Sequence, residues 1–316
     1  MLTQWLGGFG QKLGESWADR ALSPAFAFWA GGLAVWMLRP EGGQGLADAE
    51  RSISSWSTAV QLLAGIAALA LIGATDLVLR ALSFSTLRLL EGHWPRFAEP
   101  LRRRLVTRVT DAYKRDRYRW AVLSERASPE ASSSLTEDEQ RELTGLERRL
   151  QRVPVSPDQR LPIVLGNLLR ATETRIEGRY GLDPIRCWPA FWFVLPEFAR
   201  SEVAAARAGL DASARVLLAG LLFTVWALVA WWWPPIVIGP IVAIAAYYGW
   251  MIPAAATYGS VVEATFAVHR FALYEALHWP LPATPAGERT GGRALTEAIA
   301  RGSDTPKIEY VQARQR

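Results

Sequence analysis

The chain has one cysteine, Cys187, and three histidines, His93, His269 and His278. A single thiol excludes an internal disulfide and any thiolate cluster around a metal, and so few imidazoles leave little material for a zinc site. Lysine is almost missing as well, with three against 32 arginines. Arginine suits phosphate recognition, but a ratio this lopsided is better explained by codon usage than by a ligand. There is no Walker-type phosphate loop and no Rossmann glycine fingerprint. Nor is there a nucleophile elbow or an HExxH pair. No enzyme activity and no cofactor are therefore expected. The first residues lack a basic start followed by an apolar core and a cleavage site, so no secretory leader is expected.

What the chain has is apolar length. Half of it is hydrophobic, yet its mean hydropathy is only +0.08, so apolar stretches alternate with polar ones. Val216 to Trp233 carries no charge, and after Pro234-Pro235 a second uncharged run continues to Ile252. Each run approaches the roughly 20 apolar residues that cross a hydrocarbon core about 30 Å thick. Joined by a Pro-Pro corner, they read as a transmembrane hairpin. Trp231, Trp232 and Trp233 stand at its tip, as membrane-interface residues. A buried hairpin in a soluble core is the alternative, but soluble helices usually keep a polar face.

Two more spans are expected upstream. Ala21 to Leu38 is bracketed by Arg20 and Arg39 and weakened by Gly31-Gly32. Ser52 to Thr75 is longer, and its Ala64/Ala68 and Ala70/Ala74 pairs would let helix backbones approach closely. Asp76 follows, and the helical pattern runs on through Leu79, Leu82, Leu87 and Leu90. Pro253 is expected to kink the last helix, which continues past Glu263 to about His278. Residues 1–20 place Leu2, Trp5, Leu6, Phe9, Leu13 and Trp17 on one stripe, the pattern of an interfacial helix or a subunit contact.

Between the second and third spans the chain is polar. Residues 127–136 read as a loop, and Thr136 with Glu139 makes a capping box. Leu143, Leu146 and Leu150 give the following helix its buried stripe before Pro154. Another helix is expected from Ile163 to about Glu177, stopped by Gly181. Residues 185–197, IRCWPAFWFVLPE, are too short to span and lie either on a membrane surface or under the helices. The segment 280–316 is rich in Pro, Gly and charge and is expected to be flexible.

The expected fold is all-α: a four-helix transmembrane protein with a helical cytoplasmic domain inserted between spans 2 and 3. Its parts are an interfacial helix (1–20), spans 1 and 2 (21–80), the cytoplasmic domain (81–212), spans 3 and 4 with a cytoplasmic extension (213–279), and a flexible tail (280–316). Basic residues concentrate in the central domain, which puts it and both termini on the cytoplasmic side of a bacterial inner membrane.

Three constellations are candidates for function. Gln61, Asp76 and Glu263 are pore or gate candidates: an ionisable residue at a span's end marks an ion path, and a ring of subunits would make an acidic mouth. An ion pair with Arg80 or Arg270 is the plainer reading of the two acids. Second, Arg102, Arg103, Arg104, Arg108, Arg115, Arg117 and Arg119 interleave with Tyr113, Tyr118 and Trp120. Such a run holds a nucleotide or single-stranded nucleic acid, meets anionic lipid headgroups, or is merely solvated. Third, Asn167 and Arg170 are ligand candidates on a helix whose charges otherwise read as salt bridges along one face.

LRLLEGHWP (87–95) and GNLLRATETRIEGRYGLDPIRCWPAFWFVLPE (166–197) resemble segments of uncharacterised multi-spanning membrane proteins of high-GC bacteria. The layout also resembles, in architecture alone, the four-span membrane effectors of bacterial antiphage systems. That likeness implies a homo-oligomeric channel or pore-forming effector, gated through its cytoplasmic part by a nucleotide or oligonucleotide signal. The alternative is a non-conducting membrane-anchored scaffold that recruits a partner protein encoded nearby. Membrane lipid is a partner in either case.

Overall fold

In the computed structural model, residues 23–39, 51, 54–92, 94–128 and 135–302 are described. Every regular element among them is helical. The expected interfacial helix at 1–20 lies outside the described residues. The helices are α1 (Pro24–Leu38), α2 (Thr58–Leu90), α3 (Glu99–Arg126), α4 (Glu137–Leu150), α5 (Val164–Tyr180) and α6 (Pro184–Val194). They continue with α7 (Glu197–Phe223), α8 (Trp226–Ala230), α9 (Pro234–Ala246), α10 (Ile252–Ala276) and α11 (Pro285–Arg301).

Three stretches are long and apolar enough to cross a membrane: Thr58–Leu90, Glu197–Ala230 and Pro234–Ala276. The first expected span falls short. Helix α1 has 15 residues, and at about 1.5 Å per residue it reaches only about 22 Å. The chain divides into two compact units, one of Met1–Leu87 with Asp211–Met251, the other of Arg88–Leu210 with Ile252–Arg316.

The first unit holds the apolar hairpin. Ser23 caps α1 by accepting from the Phe26 N–H at 3.2 Å, with Pro24 in the first turn. Gly31 and Gly32, which weaken this helix in isolation, seat the aromatic rings of α7 and α8. A Cβ on Gly32 would lie 1.9 Å from the Trp226 ring. Trp29 packs edge-on against Trp226 and donates its indole N–H to the Thr75 hydroxyl at 2.9 Å. Within the hairpin, Gly220 faces Gly239, where a Cβ would meet the Gly220 carbonyl at 2.6 Å. That is the close approach small residues permit.

Among the described residues nothing packs against the alanine pairs of α2. Residues 61–71 are all exposed, and nothing approaches Gly65 or Gly73. At the hairpin corner Trp231 takes a left-handed conformation, φ 51°. Trp231 and Trp233 are exposed and Trp232 is half-buried. Before Pro253 the helix widens into a π turn, Tyr247–Met251. A proline lacks the N–H of a regular turn and its ring crowds the preceding carbonyls, and a wider turn accommodates both.

The second unit is built around α5 and α10. Thr172 meets Gly259, where a Cβ would stand 2.6 Å from the threonine hydroxyl. Phe191 of α6 stacks on Phe266 of α10 with centroids 4.3 Å apart. Leu182, Cys187, Leu273, Tyr274 and Leu295 complete a buried core, in which each large apolar side chain contributes about 1.5–3 kcal/mol. Helix α6 therefore packs on α10 through Cys187 and Phe191, and leaves Ile185 and Phe193 exposed. Gly181 ends α5 at φ 73°, and the Thr136–Glu139 capping box starts α4.

Two expected boundaries are corrected here. The segment 81–212 does not close its own core, because α10 supplies Phe266, Leu273 and Tyr274. The stretch 280–316 is not uniformly flexible, because it contains the 17-residue helix α11. Its glycine content misled: a Cβ on Gly292 would lie 2.1 Å from the Tyr180 carbonyl oxygen, and one on Gly181 2.0 Å from that of Arg289. These glycines allow two backbones to touch. Thr284 accepts from the Gly287 N–H at 3.1 Å, Pro285 occupies the first turn, and Arg270 pairs with Glu288 at 2.5 Å.

Candidate functional site

The arginine-rich run is α3, and four of its nine cations pair with acids among the described residues. Arg102 and Arg103 pair with Glu99 at 3.4 and 3.0 Å. Arg119 makes two parallel bonds to Glu142 at 2.8 and 2.9 Å, and Arg126 reaches Glu139 at 2.5 Å. These pairs fasten α3 to α4. Glu142 is held below its usual carboxylate range by Arg119. Glu139 is lowered by the Thr136 N–H and then by Arg126. Arg104, Arg108 and Arg115 are exposed and fall with Arg119 on one stripe of the helix, whereas Arg102 and Arg117 stand on its opposite side. The run is therefore not one continuous ligand face.

Tyr113, Arg117 and Trp120 of this run do line a common cleft of about 340 Å³, with Glu147, Gln151 and Arg175 from α4, the turn after it and α5. Arg117 lies 5.6 Å from the Trp120 ring centroid, and the Trp120 indole donates to Glu147 at 3.4 Å. The lining holds neither histidine nor cysteine. It offers guanidinium groups, aromatic faces and one carboxylate, which is a binding chemistry.

Behind the wall sits Arg160, a residue the sequence reading passed over. It is 3 % exposed and lies 4.1 Å over the Tyr113 ring. Its Nε donates to the Pro154 carbonyl at 3.1 Å and its Nη2 to that of Val155 at 2.8 Å, while Nη1 has no acceptor among the described residues. Burial pushes its pKa down from the ordinary arginine value, with Tyr113 opposing. The one available hint was its place in VPVSPDQRLP, where prolines hold a short turn against the helices.

Arg175 belongs to two neighbourhoods. It lines the cleft, donates to the Gln151 carbonyl, and pairs through Nε with Glu263 of α10 at 2.6 Å. Glu263 thus pairs with Arg175 and not with Arg270, whose partner is Glu288. Asp76 pairs with Arg80 at 2.6 Å, one turn along α2. Gln61 is exposed and donates to the Trp56 carbonyl at 3.4 Å.

Asn167 is a structural latch. Its amide donates to the Leu161 and Ile163 carbonyls at 2.6 and 3.0 Å and accepts from the Leu161 N–H at 2.8 Å. Arg170 pairs with Glu173 at 2.9 Å along the same helix. Neither lines the cleft.

A second cavity of about 270 Å³ is lined by Glu91, Glu173, Trp188, Arg207 and Tyr258 among others. Burial pushes the Glu173 carboxyl above its usual value; Arg170 opposes this, while Glu91 and Asp183 add to it. Among the described residues no group of three or more His, Cys, Asp or Glu could hold a metal ion. No family model, no curated protein and no solved structure matches this chain.

Proposed function

We propose that the protein is a homo-oligomeric channel or pore-forming effector of a bacterial inner membrane, gated by a ligand in the cleft between α3, α4 and α5. The observation that carries this reading is Arg175, which lines the cleft and also grips Glu263. Glu263 stands on the 43-residue stretch Pro234–Ala276, long and apolar enough to cross a membrane. A ligand that draws on Arg175 changes the restraint on that stretch.

In this proposal α1 is a fourth, short crossing, accommodated by local thinning of the bilayer. Both termini and the polar unit face the cytoplasm. The exposed α2 packs against neighbouring subunits around an axis, with Gln61 and Asp76 toward the conduit. The antiphage role implied by the architectural resemblance is the context in which such an effector would act.

The test is ion flux from liposomes holding the purified protein, with Asp76→Ala and Glu263→Ala. Altered cation preference in either variant supports an acidic lining, and unchanged preference in both removes it. Absence of flux from any preparation, including cross-linked oligomers, removes the pore.

A membrane-anchored scaffold is the second reading, favoured by aromatic side chains left on the polar unit's surface. Phe97, Phe193 and Phe198 are 86 %, 83 % and 66 % exposed. That reading requires function to survive replacement of the apolar helices by unrelated spans.

A further inference from the structure

We infer that the cleft between α3, α4 and α5 takes an anion of mononucleotide size: a phosphate monoester that also carries an aromatic base. This rests on reading the cleft as the ligand site of the protein, and it names what that ligand is.

Charge gives the first argument. Arg117 and Arg175 line the cleft, and Arg160 stands behind it, held by Tyr113, Pro154 and Val155, which are themselves lining residues. Arg160 has no carboxylate partner among the described residues, and its Nη1 is buried without an acceptor. A cation in a low-dielectric wall acts on its surroundings more strongly than one in water, so Arg160 adds positive potential to the cleft. Arg117 likewise has no carboxylate partner among the described residues; its guanidinium lies by the Trp120 ring, ready for a ligand oxygen.

Shape and composition give the second. About 340 Å³ is within the range of small-molecule sites and far more than a bare phosphate needs. Tyr113 and Trp120 add two aromatic rings to a lining that already holds guanidinium groups, the combination on which bases stack. Glu147 is the one carboxylate in the lining. It opposes high negative charge, which favours one phosphate over a polyphosphate.

Arg175 gives the third. Its Nε is 2.6 Å from Glu263, so a ligand phosphate that engages this guanidinium competes with that carboxylate. Binding and the Arg175–Glu263 pair are therefore negatively linked, and by reciprocity removing the Glu263 charge tightens binding.

The experiment is calorimetric titration of the full chain in detergent with adenosine 5′-monophosphate, cytidine 5′-monophosphate, adenosine and inorganic phosphate. At least one monophosphate is expected to bind about tenfold or more tighter than adenosine or phosphate alone, the difference made by one charge-assisted contact or one stacked base. Arg117→Ala and Trp120→Leu, both at partly exposed positions, are each expected to weaken it about tenfold. Glu263→Gln is expected to tighten it about threefold or more. Neither monophosphate binding better than its fragments overturns the inference, as does binding that both cleft variants leave unchanged. Unaltered affinity in Glu263→Gln overturns the competition for Arg175. Binding without ion flux leaves the ligand class standing and removes the gated pore. Flux without monophosphate binding does the reverse.

Discussion

Gly291 and Gly292 are neighbours in α11, and replacing each by alanine is expected to have opposite effects. A Cβ on Gly291 meets nothing within 4 Å. Alanine there removes the helix penalty of glycine, worth about 1 kcal/mol. A Cβ on Gly292 falls 2.1 Å from the Tyr180 carbonyl oxygen. The neighbour is backbone, so the helix must shift away. The shift loosens Leu295, 1 % exposed, and the Arg270–Glu288 pair, whose side chains are 17 % and 10 % exposed. Burial of one leucine contributes about 1.5–3 kcal/mol, and separating a buried pair costs up to about 3–5 kcal/mol. The pair is only pulled apart in part, so the combined effect is about 3 kcal/mol, or about a hundredfold in local opening. Hydrogen exchange of the 288–299 amides reads this directly. Gly292→Ala is expected to accelerate exchange about a hundredfold, and Gly291→Ala to slow it about fivefold. Equal behaviour of the two variants would refute the argument that α11 is held by backbone contact.

Four further outcomes follow from the geometry. Tyr274 is fully buried and its hydroxyl has no partner among the described residues, so Tyr274→Phe is expected to raise stability in detergent unfolding by about 1 kcal/mol, since an unmet buried polar group costs that much or more. Asn167→Ala removes three hydrogen bonds to the turn at 161–163 and is expected to destabilise by about 3 kcal/mol, at about 1 kcal/mol per bond. The fastening of α3 to α4 is acid-labile. Glu139 and Glu142 have folded pKa values below the ordinary 4.5, so their contribution is present above that pH and is lost as pH falls through the lowered values; Glu139→Gln with Glu142→Gln should abolish this acid-dependent step in exchange across 119–142. Cys187 is buried and its thiol is pushed up by burial, so maleimide should label it only after the core opens.

The parts of the fold legible in the sequence are those fixed by neighbours. The uncharged runs around Pro234, the Thr136–Glu139 box and the Gly181 stop all depend on residues a few positions apart, and the structure places them as read. What could not be read depends on distant partners. Arg119 and Arg126 look available until α4 turns back and brings Glu142 and Glu139 beside them. Glu263 looks like a partner for Arg270 one helix face away, yet Arg175 reaches it from 88 residues upstream. Glycine is the most ambiguous letter in this chain. In α2 Gly65 and Gly73 meet nothing, whereas Gly181 and Gly292 let backbones touch, and composition alone does not distinguish the two uses.

The core of the polar unit is assembled from two stretches, 88–210 and 252–301, that leave the ribosome at different times. About 65 residues separate the end of the first from the end of α10, which at about 5–20 residues per second is a delay of roughly 3–13 seconds. During it the nascent chain presents Phe191, Leu195 and Ile176 with no α10 to cover them. The intervening apolar stretch, 211–251, is thus synthesised while that surface is still open. Truncations before residue 252 should therefore bind chaperones or be degraded.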